Sequence, residues 1–263
     1  MVRLVGAAEL RAAPDVAQDL MEVLRQNTTL YAWAERQPQR RALRGRAPVY
    51  VAALPLTGAQ VAVRHAWHGG LLAPLTGDRF RRPTRAPREY QLSHALRAAG
   101  IPTTDIVGYA CYPAGPGLAR VDVVSRYLPD AVDLGEVLSG QATGVAIEAT
   151  LDATIALLSV LARHGVVHPD LNAKNILVRP LATDGVDALM IDVDVIDWDA
   201  ARAPRDTMTR NVARLTRSLR KVRRQGTSTL TEAALEAFTA RAREAAETAV
   251  GPTVETAPVE WPE

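Results

Sequence analysis

The hydrophobic period of this chain changes near residue 130, and that change constrains the fold more than any other feature of the sequence. Upstream, short segments rich in Val, Tyr and Ala are separated by turn residues. "ALRGRAPVYVAAL" reads as strand, Gly45-containing turn and strand, "GAQVAVRHAW" as a third strand, and "DIVGYACYP" and "ARVDVVSRYLP" as two more flanking a turn at Pro113–Gly117. One helix interrupts them, "PREYQLSHALRAAG", with Pro87 in its first turn and Gly100 just past its end. Downstream the apolar residues recur every three or four positions, most clearly in "AIEATLDATIALLSVLARHG". Two short strands, "NILVRP" and "DALMIDVD", flank a turn at Thr183-Asp184-Gly185. The alternating strand–helix rhythm of a parallel doubly wound sheet is missing. The expected class is α+β in two lobes meeting near residue 130, an antiparallel-sheet lobe over 41–128 and a mainly helical lobe over 129–250. Residues 1–40 read as a helical extension, in which Val16, Leu20, Val23 and Leu24 share a face behind Asp15 as cap, and 251–263 as a disordered tail.

Composition narrows the classes. The chain is 48% hydrophobic but only 5% aromatic, so its core is built mainly from Ala, Val and Leu. A lone cysteine, Cys111, excludes an internal disulfide framework and a zinc-finger ligand set, and reads as a buried small apolar residue in a reducing compartment. The first residues, "MVRLVGAAELRAAPDV", lack the sustained apolar segment of a signal peptide, and "IALLSVLA" is too short to span a bilayer. A cytoplasmic protein, soluble or at most peripheral on a membrane, is expected.

The chemistry concentrates in "HPDLNAKNILV" and "LMIDVD". Asp170 can accept a proton from an attacking hydroxyl. Asn175 offers an amide oxygen of the hard kind that Mg²⁺ takes, and Asp192, just past an apolar strand, offers a carboxylate to the same ion. Asx-rich turns would account for each residue singly. Together, at this spacing and beside strands, they form a phosphoryl-transfer set, in which catalysis is mostly positioning and charge neutralisation.

"HPDLNAKN" resembles the catalytic loop H-x-D-L-x-x-x-N of protein-kinase-like phosphotransferases, and "IDVD" resembles their metal-binding D-F-G segment. The resemblance narrows further. "VRHAWHGGLLAPLTGDRF", "REYQLSHALRAAGIP", "HPDLNAKNILV", "MIDVDV" and "NVARLTRSLRKV" follow in the order seen in lipopolysaccharide-core kinases, and are similar to those of 3-deoxy-D-manno-octulosonic acid (Kdo) kinases, over roughly residues 40–225. The resemblance implies a protein-kinase-like fold with ATP and Mg²⁺ as cofactors. It makes Asp170 the catalytic base, Asn175 and Asp192 the metal ligands, and His168 a packing residue that holds the loop. Arg64 stands where the phosphate-binding Lys is usual, with Glu89 as its partner. Gly45 represents the phosphate-covering loop, and backbone near Ser125 and Tyr127 the adenine hinge. Departures are Pro169 for the Arg of many protein kinases, Val193-Asp194 for Phe-Gly, and the lack of an A-P-E segment. His65 and His68 read as loop residues without a metal role.

Two basic stretches remain. Arg79, Arg81, Arg82, Arg85 and Arg88 crowd one segment, while Arg210, Arg214, Arg217, Lys221 and Arg224 form a cationic stripe opposite Val212, Leu215, Leu219 and Val222 on a late helix. In a chain that resembles kinases of an anionic glycolipid, these cations imply docking of a Kdo-lipid A precursor or of an anionic inner-leaflet surface. Nucleic acid is disfavoured because no aromatic stacking residues interleave with the stripe. A small-molecule or protein kinase of aminoglycoside-phosphotransferase type and a nucleotide-binding pseudokinase scaffold are the alternative readings.

Overall fold

The structure is a computed structural model and describes residues 2–26, 28–43, 48–67, 77–142, 144–182, 185–226 and 228–248. Its contacts divide the chain into two compact units, 1–98 with 104–128, and 99–103 with 129–263. The excursion of 99–103 into the second unit follows from the Thr103 hydroxyl, which donates to Met190 O at 2.9 Å, and from Met190 N–H, which donates to Pro102 O at 3.1 Å.

The first unit is one antiparallel sheet. Its strands are β1 (Arg3–Val5), β2 (Ala8–Ala12), β3 (Arg41–Leu43), β4 (Val49–Ala53), β5 (Gln60–His65), β6 (Phe80–Arg81), β7 (Ile106–Pro113) and β8 (Leu118–Arg126). They run in the order β1-β2-β7-β8-β5-β4-β3, with β6 also on β8. Residues 1–40 are therefore not a separate helical extension. They supply β1 and β2 to the sheet edge as well as helices α1 (Ala17–Gln26) and α2 (Leu30–Arg36), the second capped by Thr29 Oγ1 accepting from Ala32 N at 3.0 Å. Asp15, expected as a cap, forms an ion pair with Arg126 at 2.7 Å.

Each sheet face has its own cover. Val16, Leu20, Val23 and Leu24 of the α1 segment, with Leu30 and Trp33 of α2, bury Val61, Val63, Ala110 and Val124. Helix α3 (Ala86–Ala98) buries Ile106, Tyr109, Cys111, Val121 and Val123 on the other face through Ala86 and Tyr90. In strand β7 a bulge sits between Ile106 and Gly108. The extra residue shifts the alternation, so Val107 and Ala110 point to one cover while Ile106 and Tyr109 point to the other. A Cβ on Gly108 would lie 2.8 Å from Arg11 O, so the close approach of β2 requires glycine there.

The second unit is mainly helical, with α4 (Leu134–Leu138), α5 (Ile147–Arg163), α6 (Pro204–Arg224) and α7 (Glu232–Thr248). The ribbon β10 (Val166–Val167) with β13 (Asp197–Trp198), and the sheet β12-β11-β9 formed by Val186–Met190, Ile176–Pro180 and Val132–Asp133, are antiparallel. Leu157, Leu158 and Leu161 of α5, Leu215 and Leu219 of α6, and Leu235 and Phe238 of α7 are all buried. The expected apolar stripe of α6 is buried at Val212, Leu215 and Leu219 and half-buried at Val222. Gly45, expected in the phosphate-covering loop, His68 and the tail 251–263 lie outside the described residues.

Candidate active site

Helix α5 ends at Gly165, whose φ of +65° turns the chain into β10. His168 follows, fully buried. Its backbone N–H donates to Asn211 Oδ1 at 3.0 Å and its Nε2 lies 3.1 Å from Ile191 O. A carbonyl neighbour assigns the proton to Nε2, and burial pushes the imidazole below its usual range, so His168 is a neutral peg for the loop. Asn211 also donates from Nδ2 to Val166 O at 2.8 Å, and is itself fully buried.

Beyond His168 the loop is closed by its own amides. Asn172 Nδ2 and Asn175 Nδ2 both donate to Asp170 O at 2.9 Å, and Asn172 Oδ1 caps the 3₁₀ turn Ala173–Asn175 by accepting from Lys174 N. Because its NH₂ is directed at Asp170 O, the amide of Asn175 turns its oxygen the other way. Ile191 N–H donates to Asn175 O at 3.0 Å, extending the β11–β12 ladder and setting Asp192 beside Asn175. Asp192 is exposed and takes the left-handed conformation, φ +63° and ψ +48°, sparse for a residue with a Cβ. Sparse backbone states persist where the surroundings enforce them, and cluster at functional sites.

The loop lies along one face of α6. Asn211 holds His168 N, Arg214 Nη2 donates to Asp170 Oδ1, and Ser218 Oγ accepts from Ala173 N at 3.3 Å. These α6 positions are spaced i, i+3 and i+7, one side of a helix over two turns. Arg214, expected among the docking cations, is thus engaged by the candidate base. Arg210, Arg217 and Lys221 are exposed and have no carboxylate partner among the described residues.

In the first unit, Arg64 of β5 reaches Glu89 of α3, Nη2 to Oε1 at 2.6 Å, with Arg64 41% and Glu89 10% exposed. Arg64 faces Val49 and Val123 across the ladders, and Ala62, two residues back, faces Val51 and Ser125. The base-edge donors expected near Ser125–Tyr127 are already bonded within the unit: Arg126 N–H to Asp105 O at 2.8 Å and Tyr127 N–H to Gln60 O at 3.0 Å, while the Tyr127 hydroxyl accepts from Arg41. In the other basic stretch, Arg82 pairs with Glu9 at 2.6 Å.

His65 is not the loop residue its neighbours suggested. It is buried at the end of β5, Nδ1 2.6 Å from Asp122 Oδ1 and Nε2 3.1 Å from Asp78 Oδ2. Asp122, fully buried, also accepts from Tyr31 N–H and the Tyr112 hydroxyl, both at 2.9 Å. Burial lowers the imidazole pKa, but the hydrogen bonds and charges of Asp122 and Asp78 outweigh it and hold His65 above its usual range. Burial, the largest effect on Asp78, raises its pKa, but Arg120 and His65 hold it below the usual carboxylate range. Cys111 is buried as expected, and burial pushes its thiol up.

The Asn175 amide oxygen and the Asp192 carboxylate are hard donors, too few for a cage of their own but suited to Mg²⁺, which keeps waters and takes phosphate oxygens. Among the described residues no group of three or more His, Cys, Asp or Glu could hold an ion. The described helices include none long and apolar enough to cross a membrane.

An antiparallel-sheet unit with a cation–carboxylate pair between strand and helix, followed by a helical unit with an Asp–Asn–Asp loop, defines a two-lobed kinase-like α+β fold. The chain belongs to the lipopolysaccharide kinase (Kdo/WaaP) family, whose sequence model matches residues 17–241. It is 29% identical over 142 residues to a 3-deoxy-D-manno-octulosonic acid kinase of Haemophilus influenzae (strain PittEE), covering 52% of this chain and 57% of that protein. It is 30% identical over 166 residues to the protein of the same description from Xylella fastidiosa (strain M12), covering 61% of this chain and 62% of the relative. The chain thus spans less than two thirds of the length of either relative. A solved structure of WaaP in complex with acyl carrier protein is 19% identical, with a TM-score of 0.49, over 89% of this chain and 88% of that one.

Proposed function

We propose that this chain is an ATP- and Mg²⁺-dependent kinase that phosphorylates a sugar hydroxyl, the acceptor being Kdo on a lipid A precursor of the lipopolysaccharide core. The observation that carries the reading is the single loop in which the Asn175 amide is tied to Asp170 O and Asp192 is set beside Asn175. Asp170 orients the acceptor hydroxyl and takes its proton. Asn175 Oδ1 and the Asp192 carboxylate would hold Mg²⁺, which would neutralise phosphate charge when bound. Arg64, steadied by Glu89, adds positive charge at the nucleotide phosphates, and Val51 and Ala62 give the base an apolar surface. His168 stays neutral and keeps Asp170 in place. Arg210, Arg217 and Lys221 recruit the anionic glycolipid from an inner-leaflet surface on the cytoplasmic side, the setting in which such an acceptor meets ATP.

The test is incubation of the purified chain with ATP, Mg²⁺ and a Kdo-lipid A precursor. Phosphate is expected on Kdo, and Asp170→Ala lowers its formation by about 10²–10⁴-fold, the usual contribution of a positioned base. ATP binding without transfer to any sugar, or full transfer by Asp170→Ala, sinks the reading.

A further inference from the structure

Among the described residues, Arg214 is the one cation of the α6 stripe with a carboxylate partner, and that partner is Asp170. The pair is accessible, Arg214 37% and Asp170 52% exposed, so a ligand that reaches Asp170 meets Arg214 as well. The contact occupies one oxygen of the base: Asp170 Oδ1 is held by Arg214, so an acceptor hydroxyl that takes that oxygen has to displace the guanidinium. Arg214 Nε is buried and has no hydrogen-bond partner, so the guanidinium is only partly satisfied by this arrangement. One turn to either side, Arg210 and Arg217 are exposed and unpaired with any described carboxylate, which makes the surroundings of Arg214 favourable to an arriving anion.

We propose that Arg214 selects the acceptor. It holds Asp170 in the absence of ligand, then passes its fork to a carboxylate on the acceptor sugar beside the hydroxyl to be phosphorylated, which releases Asp170 Oδ1 to that hydroxyl. The ligand class is a sugar acid, and the inference rests on the kinase reading for the identity of that hydroxyl. Exchange of one carboxylate for another leaves the guanidinium paired throughout, since its planar fork matches either. A neutral sugar has to break the internal pair and puts nothing in its place, so discrimination comes from the unpaired state as much as from the new contact. Arg214 is then a specificity-determining residue rather than a membrane anchor, and the rest of the stripe is left to docking.

Calorimetry of the full chain without nucleotide tests this, with free 3-deoxy-D-manno-octulosonic acid and its neutral methyl ester as probes. Asp170→Asn removes the internal competitor, so the acid binds about 5–10-fold more tightly than to wild type and stays ahead of the ester, which has no carboxylate to place on the freed guanidinium. The Asp170→Asn/Arg214→Met double variant loses that gain. Should Arg214→Met not fold, Arg214→Lys keeps the charge without the fork and narrows the difference between acid and ester. In turnover, wild type prefers acid over ester by about 10–100-fold in kcat/KM, and Arg214→Met brings the ratio near one. Equal binding of acid and ester by Asp170→Asn overturns the proposal, as does a gain that survives in the double variant. So does a gain in ATP affinity in place of acid affinity, which assigns the fork to a nucleotide phosphate. Acid binding through Arg214 with no transfer to any sugar supports the ligand assignment and defeats the kinase reading, so the two fail separately.

Discussion

Asn211→Ala tests how the catalytic loop is held. Asn211 makes two bonds in a fully buried setting, accepting from His168 N–H at 3.0 Å and donating to Val166 O at 2.8 Å. Truncation leaves one backbone donor and one acceptor unpaired away from solvent. Each such group costs about 1–3 kcal/mol, so about 2–6 kcal/mol in total, with a water entering the vacated space drawing the loss toward the lower figure. Against about 5–15 kcal/mol for a typical native protein this is a large fraction. At about 2–4 °C per kcal/mol for a chain near this size, the melting temperature falls by about 4–24 °C. Hydrogen exchange gives the local readout. The His168 amide loses at least about tenfold in protection, since about 1.4 kcal/mol is one decade. Turnover falls through misplacement of Asp170, two residues on, while KM for ATP changes little. Melting within about 1 °C of wild type with unchanged protection at 166–168 refutes the claim that α6 positions the loop through this side chain.

Three further outcomes follow from other contacts. Gly165→Ala would place a Cβ 1.8 Å from Asp199 O at a φ of +65°, so it destabilises by about 3 kcal/mol or more, measured by denaturant melts; a loss under about 1 kcal/mol contradicts the packing described. His65 has a folded-state pKa held above its unfolded value of about 6.5, so its stabilisation is complete below that pH and is lost as pH rises through the folded pKa. Melting temperature therefore declines with rising pH across this window in wild type and is flatter in His65→Gln; identical profiles show that Asp122 and Asp78 do not clamp an imidazolium. Arg64→Met removes a cation paired with Glu89 at 2.6 Å and raises KM for ATP by about 10-fold, Arg64→Lys by less; an unchanged KM for both removes Arg64 from the nucleotide site.

The fold was legible where local signals agree with packing. Helix α3 is bracketed by Pro87 and Gly100, and the strands β4, β5, β7 and β8 are rich in β-branched or aromatic residues. Strands β1 and β2 were not legible. "AELRA" consists of residues that favour helices, and it is held extended by pairing with Gly108–Cys111, about a hundred residues away. Nothing local encodes that pairing. The bulge at Gly108 was hidden for the same reason: a glycine within a strand is visible, whereas the backbone of β2 against which it packs is a tertiary fact.

The candidate site divides along the same line. His168, Asp170, Asn175 and Asp192 lie on one loop and the strand pair behind it, so their spacing and the resemblance of that segment to kinase loops singled them out together. The face of α6 that holds them was visible only as an amphipathic helix. Its period says which residues share a side but not what that side meets, and Arg214 was therefore grouped with the docking cations when it belongs with Asp170. Asn211 could have been noticed as a polar residue on the buried side, between Thr207 and Leu215. Once the contacts are known, "NVARLTRSLRK" becomes intelligible as the counterpart of "HPDLNAKN". Asn211, Arg214 and Ser218 climb one face of α6 in step with His168, Asp170 and Ala173, so shifting either segment by one residue breaks all three contacts at once. The two motifs depend on each other because a base on a loop can be positioned only by something more rigid than the loop, and in the second unit that support is α6.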